Sequence, residues 1–324
     1  MIFKKVQLYR YACPLKSPLA LKSGPLRTRS GILIKAIDAQ NRAYFAESAP
    51  LPGFSQESLQ MALNELREAG KRLLHPPTLL PELLPSNQFA MHCLNERFDS
   101  SFSDVEICKY VHGTFDEMLS EIKTYKDASY IKIKLGGFSA KESVEFFKRA
   151  CNVVSNNCRF RIDFNQMFDL SELDKFCKMV DFEKIDYIEE PTLNPFDLTK
   201  IEYPAKFALD ESIRKYPLEK LLQIPNIKAL VIKPMLDMPR LRDKRFLNAA
   251  HKEKLELIFS PTYESQVGLA HITKLAKKHS PERVHGLDTG KLFGETPIIN
   301  DTILNPKITE LIYESDTRSI QTCT

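Results

Sequence analysis

The pattern of hydrophobic and polar residues changes near residue 104. Before that point, apolar and polar side chains alternate, and alternation with a period of two predicts β-strands at residues 2–12, 30–38 and 42–48. The segment from Pro14 to Arg29 is polar and contains Pro and Gly, so it is predicted as a loop between the first two strands. The second and third strands are predicted to pair as a hairpin.

Helices are predicted to follow these strands. Ser55 is the expected N-cap of the first helix, whose apolar stripe comprises Leu59, Leu63 and Leu66. A second helical segment is predicted near residues 86–98, after a proline-rich turn. Strands and helices together predict a small α+β domain, residues 1–103, with loops that are candidates for a lid.

Strands and helices alternate from about residue 104 onward. The predicted strands lie near residues 105–110, 130–135, 159–163, 185–189, 207–210, 229–233, 256–260 and 283–287. Ser139 and Glu142 have the spacing of a capping box at the start of one helix. Repeated βα units predict a parallel sheet that closes into a barrel over residues 104–295. An open doubly wound sheet is the alternative, but no GxGxxG motif opens a helix. Residues 296–324 are expected to pack back on the first domain.

Composition narrows the class of protein and of partner. The 324 residues are 43% hydrophobic and 27% charged, which is typical of a globular chain with a large core. A net charge of +4 without a basic block does not indicate nucleic acid and suits an anionic small molecule. Seven cysteines without a CxxC pair predict reduced thiols, and no apolar stretch approaches the roughly 20 residues of a membrane span. A cytoplasmic protein without membrane contact is expected, and the sequence sets no oligomeric state.

The predicted strand at residues 130–134 carries two lysines on one face. Side chains alternate along a strand, so Lys132 and Lys134 project together while Ile131 and Ile133 project to the other side. Neighbouring ammonium groups repel each other, which lowers the pKa of each and allows a lysine to act as a general base. A surface strand with solvated lysines is the alternative.

Acidic residues stand at the ends of the next three predicted strands, and a lysine ends the fourth. The segments are Arg161-Ile162-Asp163, Ile188-Glu189-Glu190, Leu209-Asp210 and Val231-Ile232-Lys233. Side chains at the C-terminal ends of barrel strands share one mouth, where active sites lie. Converging carboxylates repel unless a cation lies between them, and hard oxygen ligands suit Mg²⁺. Lys134 and Lys233 would face each other across a metal-bound substrate, which suits proton abstraction next to a carboxylate.

These motifs together resemble a known family. They are Lys132-x-Lys134, Asp163-Phe164-Asn165, Glu189-Glu190-Pro191, Asp210-Glu211-Ser212 and Lys233-Pro234. On them the chain resembles the enolase superfamily, in particular its muconate-cycloisomerase-like branch. The segments Pro50 to Glu57 and His285 to Thr289 further resemble the members of that branch that form o-succinylbenzoate.

The resemblance implies a fold, a metal and a reaction. The fold is an α+β capping domain on a modified (β/α)₇β barrel, and Mg²⁺ is held by Asp163, Glu189 and Asp210, with Glu190 as an alternative to Glu189. The reaction dehydrates a cyclohexadiene carboxylate that bears a hydroxyl and a succinyl arm, in menaquinone synthesis. The implied roles are proton transfer by Lys134, stabilisation of the enolate by Lys233, and tuning of Lys134 by Lys132.

Three further residues are expected to contact the substrate. Arg161 shares the inward face of its strand with Asp163, although a structural salt bridge is an equal alternative. Ser260 ends the seventh barrel strand and could bind the succinyl arm or be satisfied by the backbone. Asn165 belongs to the Asp163 motif, and the bulky stretch from Phe164 to Phe168 departs from the family pattern.

The same residues would also serve other functions. A racemase of N-acylated amino acids would exchange a proton between Lys134 and Lys233, and a barrel without catalysis would only bind. The dipeptide epimerases of the superfamily carry an Asp-x-Asp pair that grips the substrate ammonium, whereas Asp288 has no partner two residues away. The sequence therefore favours the lyase.

Overall fold

The N-terminal part of the chain forms an antiparallel sheet. The structure, a computed structural model, describes residues 3–21, 24–74, 82–95, 105–299 and 303–317. The first strands are β1 (Phe3–Leu21), β2 (Gly24–Asp38) and β3 (Ala43–Ser48), which pair in that order. The predicted hairpin of the second and third strands is confirmed, with Ile37 opposite Ala43 and Ile32 opposite Ser48.

β1 and β2 are longer than the sequence predicted. Their pairing continues from Phe3 opposite Asp38 to Leu21 opposite Gly24, with an irregularity between Pro14 and Leu19. The predicted loop from Pro14 to Arg29 was therefore wrong. Proline is tolerated at an irregular point of a two-stranded sheet, because it removes only its own N–H donor. The backbone pairs on either side of that point keep the two strands together.

Two helices pack on this sheet in the described ranges, α1 (Leu59–Leu73) and α2 (Pro85–Cys93). The N-cap of α1 is Ser58, whose side chain accepts a hydrogen bond from the backbone N–H of Met61 at 3.2 Å. The prediction of Ser55 as the cap was wrong, because the Ser55 hydroxyl instead accepts from the N–H of Leu51 at 2.8 Å and closes the preceding loop. The buried stripe of α1 includes Leu63 and Leu66, as predicted.

The central part of the chain forms a parallel sheet whose strands follow the order of the sequence. Its strands are β4 (Lys109–Val111), β5 (Tyr130–Lys134), β6 (Arg159–Asp163), β7 (Ile185–Glu189), β8 (Phe207–Leu209), β9 (Ile227–Ile232) and β10 (Glu256–Phe259). The helices are α3 (Phe115–Thr124), α4 (Ala140–Cys151), α5 (Leu170–Met179), α6 (Ser212–Lys215), α7 (Leu218–Leu221), α8 (Pro234–Arg242), α9 (Lys244–Lys252) and α10 (Gln266–His279). The predicted alternation of strands and helices is confirmed, and so is the capping box of Ser139 and Glu142.

The segment around His285 closes this sheet into a barrel. At the β4 edge of the sheet, the His285 carbonyl accepts a hydrogen bond from the Cys108 N–H at 2.8 Å. At the β10 edge, the Gly286 N–H donates to the Phe259 carbonyl at 2.9 Å. The predicted eighth strand at residues 283–287 is thus reduced to an isolated parallel bridge between Ile107 and His285. Barrel closure leaves neither edge of the sheet exposed.

The side chain of His285 secures the closure. Its Nδ1 accepts a hydrogen bond from the Phe259 N–H at 3.1 Å, so its Nε2 carries the proton and donates to the Ser280 carbonyl at 3.0 Å. Burial lowers the pKa of His285 to about 4, because a charged ring would lose its solvation and its Nδ1 could no longer accept a hydrogen bond from the Phe259 N–H.

We predict that this histidine makes the protein less stable in acid. An unfolded histidine has a pKa near 6.5, so below that value protons bind the unfolded chain first, and the stabilisation present above pH 6.5 is lost as the pH falls towards 4. Urea unfolding at pH 7 and pH 5 should show a loss of roughly 2 kcal/mol from His285 alone. In His285→Gln that part of the loss should vanish, and an unchanged pH dependence would contradict the assignment.

The C-terminal part of the chain returns to the N-terminal sheet. It contains β11 (Ile298–Ile299), β12 (Ile303–Leu304) and β13 (Thr309–Asp316). β13 pairs antiparallel with β1, from Lys5 opposite Asp316 to Tyr11 opposite Thr309. The predicted boundary between residues 103 and 104 lies outside the described residues. Among the helices described, none is long and apolar enough to cross a membrane.

Two buried charges of the N-terminal sheet fix the loop that follows β10. The Arg29 guanidinium donates to the carbonyl oxygens of Tyr263 and Pro50, both at 3.0 Å. The Glu47 carboxylate accepts from the backbone N–H of Ser265 at 2.9 Å and of Gly268 at 2.8 Å, at the N-terminus of α10. Acceptors at this end of a helix satisfy its free N–H groups and favour negative charge. The N-terminal sheet therefore holds one wall of the barrel mouth in place.

Candidate active site

The two lysines of β5 point into the barrel mouth. Lys132 Nζ lies 2.7 and 2.6 Å from the two carboxylate oxygens of Glu189 and 3.0 Å from Oδ2 of Asp163. Lys134 Nζ lies 4.0 Å from the same Asp163 oxygen, one step nearer the open end. β5 pairs in register with β6, and this register places Lys134 directly beside Asp163.

The pKa of Lys134 is raised, which is opposite to the sequence-based expectation. Burial and the charge of Lys132 favour the neutral amine, but Tyr263 and the Asp163 carboxylate outweigh them. The expectation was wrong because it weighed only the two ammonium groups. In the folded chain, the carboxylates of Asp163 and Glu189 lie beside the lysine pair.

The three predicted acids converge at the ends of consecutive strands. Asp163, Glu189 and Asp210 end or follow β6, β7 and β8, and each is almost completely buried. Burial, together with the charges of Asp163 and Asp210, raises the pKa of Glu189 to about 7. The pKa of Asp210 is lowered in spite of its burial, because Lys233 and Arg214 lie beside it. The Lys233 ammonium hydrogen-bonds to Oδ2 of Asp210, and Arg214 donates to Oδ1 at 2.6 Å.

Glu189 and Glu190 face different surroundings. Glu190 accepts hydrogen bonds from the Gln166 amide at 3.0 Å, from the Ser212 hydroxyl and from the Asp210 N–H at 2.7 Å. Its backbone φ of 40° turns it away from the direction of the strand. Glu190 thus braces the neighbouring strand end, and Glu189 is the carboxylate that lies with Lys132 and Asp163.

The donor set can be tested against Mg²⁺. As the side chains stand, no three His, Cys, Asp or Glu groups in the described ranges are spaced to hold a metal ion. Ammonium groups occupy the space instead, with Lys132 between Glu189 and Asp163 and Lys233 on Asp210. Three buried carboxylates whose charge needs compensation are nevertheless the oxygen donors that a hard divalent cation takes. The chemistry of the residues therefore fits the ion.

A cavity of about 300 Å³ lies over these charges. The N-terminal part contributes apolar side chains to it, and the barrel contributes lysines, tyrosines and small polar groups. The lining includes Leu21, Leu51, Phe54, Tyr110, Lys134, Asn165, Met167, Glu211, Lys233, Ser260 and Tyr263. An apolar enclosure with a few converging polar groups is typical of a small-molecule site.

The predicted substrate-binding residues separate into two groups. Ser260 and Asn165 line the cavity, as expected of substrate contacts. Arg161 does not. It is buried lower in the barrel, where its guanidinium pairs with Asp186 at 2.8 Å and donates to the Val284 carbonyl at 2.8 Å. The expected substrate contact of Arg161 is corrected to the structural salt bridge.

The bulky stretch after Asp163 affects the cavity less than expected. Phe164 and Phe168 stack on each other at 3.9 Å between ring centroids and are buried in the core. Neither of these phenylalanines lines the cavity in the described structure. Met167 does line it, and its side chain is 60% exposed.

Several residues of the cavity wall were not predicted from the sequence, among them Tyr110, Glu211 and Tyr263, which carry polar side chains. Tyr110 lies on β4, Glu211 follows Asp210 directly, and Tyr263 lies on the loop after β10. The available signal was that each lies in, or within a few residues of, the C-terminal end of a barrel strand. Both carboxylate oxygens of Glu211 are buried and have no hydrogen-bond partner among the described residues.

The fold and this site can be compared with known proteins. The family model described as MenC, N-terminal domain, matches residues 3–97. The model described as Enolase C-terminal domain-like matches residues 117–235. The chain therefore resembles enzymes of the enolase superfamily, and it has the capping sheet and parallel barrel found in the structures of that class.

Sequence relatives of the chain include proteins named o-succinylbenzoate synthase. The protein of that name from Pasteurella multocida is 28% identical over 312 residues, which cover 89% of this chain and 90% of the relative. The solved o-succinylbenzoate synthase of Thermosynechococcus elongatus BP-1, with Mg in its active site, is 21% identical with a TM-score of 0.70 and covers 91% of this chain and 96% of that one. The L-Ala-D/L-Glu epimerase of Bacillus subtilis has a TM-score of 0.77 at 15% identity and covers 92% of each chain, so the fold is shared across activities.

Proposed function

We propose that the protein is a Mg²⁺-dependent hydro-lyase that forms o-succinylbenzoate. The observation that carries the proposal is the pair of lysines, Lys134 and Lys233, placed at the buried carboxylates under a small cavity. The substrate is a cyclohexadiene carboxylate with a hydroxyl and a succinyl arm, and the product belongs to menaquinone biosynthesis. The resemblance to named synthases over nearly the whole chain supports this choice of substrate.

Three lysines have separate roles in the proposed reaction. Lys134 removes the proton next to the substrate carboxylate and then protonates the departing hydroxyl. Lys233 holds positive charge beside the enolate that forms in between. Lys132 bridges Glu189 and Asp163 and so fixes the carboxylates in position.

The carboxylates of Asp163, Glu189 and Asp210 would hold the metal ion. When bound, Mg²⁺ supplies positive charge that polarises the substrate carboxylate and offsets the carboxylate charge that raises the pKa of Lys134. The apolar side chains Leu21, Leu51 and Phe54 exclude water above the site. Ser260 and Asn165 remain as polar groups for the rest of the substrate.

A racemase or epimerase is the second candidate, since the two lysines also suit proton exchange across an α-carbon. Such an enzyme acting on a free amine needs a carboxylate for the ammonium. Asp288 is the candidate group, but its Oδ2 accepts from the Tyr110 N–H at 3.1 Å and pairs with Lys291 at 2.9 Å. A carboxylate committed to two partners serves an added cation poorly, which favours the lyase.

We predict a larger kcat/KM for dehydration than for racemisation of N-succinylamino acids or dipeptides. Both reactions should be measured in one preparation, dehydration by the ultraviolet absorbance of o-succinylbenzoate and racemisation by polarimetry. EDTA should abolish dehydration, and added Mg²⁺ should restore it. A higher kcat/KM for racemisation would replace the lyase by the second candidate.

A further inference from the structure

A tyrosine that lines the same cavity as the proposed base has an unusual backbone. Tyr263 has a φ of 61°, in the left-handed region that bulky residues rarely adopt. The conformation is imposed from outside the loop, because the buried Arg29 guanidinium donates to the Tyr263 carbonyl at 3.0 Å. Such strain is found where a side chain must be aimed at a site. Here it directs the phenol into the cavity that Lys134 and Ser260 line.

The Tyr263 hydroxyl meets a second tyrosine. The Tyr110 hydroxyl lies 3.4 Å from it. Tyr110 is itself held in place by two contacts. Its backbone N–H donates to the Asp288 carboxylate at 3.1 Å, and its ring stacks on His112 with 5.1 Å between the ring centroids. This anchoring leaves Tyr110 little freedom to turn away from its partner.

The two hydroxyls can share one hydrogen bond, in which either oxygen can be the donor. Burial and Tyr263 raise the pKa of Tyr110, while Lys134 and the contact with Tyr110 lower the pKa of Tyr263 in spite of burial. When Tyr110 donates to the Tyr263 oxygen, the proton of Tyr263 remains available to a group in the cavity that Tyr263 lines.

We propose that Tyr263 is a further catalytic residue, which donates a hydrogen bond to the hydroxyl that leaves the substrate. This inference rests on the proposed function. Lys134 must reach both the α-proton and the leaving hydroxyl, and Tyr263 lines the same small cavity as Lys134, so its hydroxyl is a second donor in the space that the substrate would fill. Tyr110 is a positioning residue, which orients Tyr263.

The step balances without a further reactant. The α C–H bond breaks and its proton goes to Lys134, and the electron pair forms the enolate. The C–O bond then breaks, the enolate electrons form the new C=C bond, and the leaving oxygen takes the proton from Lys134 and departs as water. Tyr263 keeps its own proton throughout and stabilises the charge that develops on that oxygen.

The test is Tyr263→Phe, assayed in D₂O, with Tyr203→Phe as the matched control, because Tyr203 stacks on Phe182 and is not part of the cavity lining. Loss of one donor should lower kcat by roughly 100-fold or more with little change in KM. Because C–O cleavage is slowed while C–H cleavage is not, unreacted substrate recovered from the variant should carry deuterium at the α-carbon. Lys134 would return a deuteron from its ammonium group. Tyr110→Phe should show a smaller fall in kcat and the same labelling.

The outcomes separate this inference from the proposed function. If the wild-type protein forms no o-succinylbenzoate, the proposed function fails and the inference with it. If the wild type is active and Tyr263→Phe keeps its kcat, only the inference fails. A lower kcat without deuterium in recovered substrate also overturns it, since a merely structural role would slow both bond cleavages together. Equal thermal unfolding midpoints of Tyr263→Phe and the wild type accompany the expected result.

Discussion

Turnover should be lost in Lys134→Ala, while the protein stays folded and still binds its substrate. A general base contributes about 10²–10⁴-fold, and the loss is larger where the same group also acts as the acid. Lys134 is proposed to do both. Its side chain is 31% exposed and lies 4.0 Å from Asp163, so no close buried ion pair is broken by its removal. The loss should therefore appear in kcat rather than in stability.

The measurement is the rate of o-succinylbenzoate formation, with binding of the substrate followed by calorimetry. Lys148→Ala is the matched control, because Lys148 is exposed on the outside of α4. Lys132→Ala is a contrasting variant, since it leaves Glu189 and Asp163 without their ammonium partner and should destabilise the protein as well. Turnover near the wild-type rate in Lys134→Ala would show that proton transfer has been assigned to the wrong lysine.

Local signals predicted the barrel well, and non-local pairing explains what they missed. The capping box of Ser139 and Glu142 lies within one helical turn, so the sequence suffices to identify it. The extension of β1 and β2 through Pro14 depends on pairs between distant residues, which no local pattern of Pro and Gly reveals. Ser55 and Ser58 are equally good caps by type, and the loop hydrogen bond of Ser55 decides between them.

The candidate site, like the fold, was predicted only in part from the sequence. The position at a strand end was enough to single out Asp163, Asp210 and Lys233, because barrel geometry alone brings such positions together. The surroundings of each side chain could not be obtained in this way. Arg161 has the right direction but lies too deep in the barrel, and the pKa of Lys134 depends on partners that the strand pattern does not contain.

The carboxylate that follows β8 provides a separate test of the metal site. Asp210→Asn should weaken Mg²⁺ binding by about 100-fold or more and remove activity, because carboxylate charge is what holds a hard cation against water. The same substitution removes the negative charge between Lys233 and Arg214. Some stability should be lost as well, since breaking a buried ion pair leaves its partners uncompensated.

Two features of the structure allow the fold to survive Asp210→Asn. Arg214 keeps its second partner, Asp237, at 2.9 Å, and the amide oxygen of asparagine can still accept from Lys233. Mg²⁺ affinity should be measured by calorimetric titration and the unfolding midpoint by circular dichroism. Asp197→Asn is the matched control, because Asp197 pairs with Lys200 away from the cavity. A folded Asp210→Asn protein with wild-type Mg²⁺ affinity and turnover would remove Asp210 from the ligand set, and a third carboxylate, with the unpaired Glu211 as the nearest choice, would have to take its place.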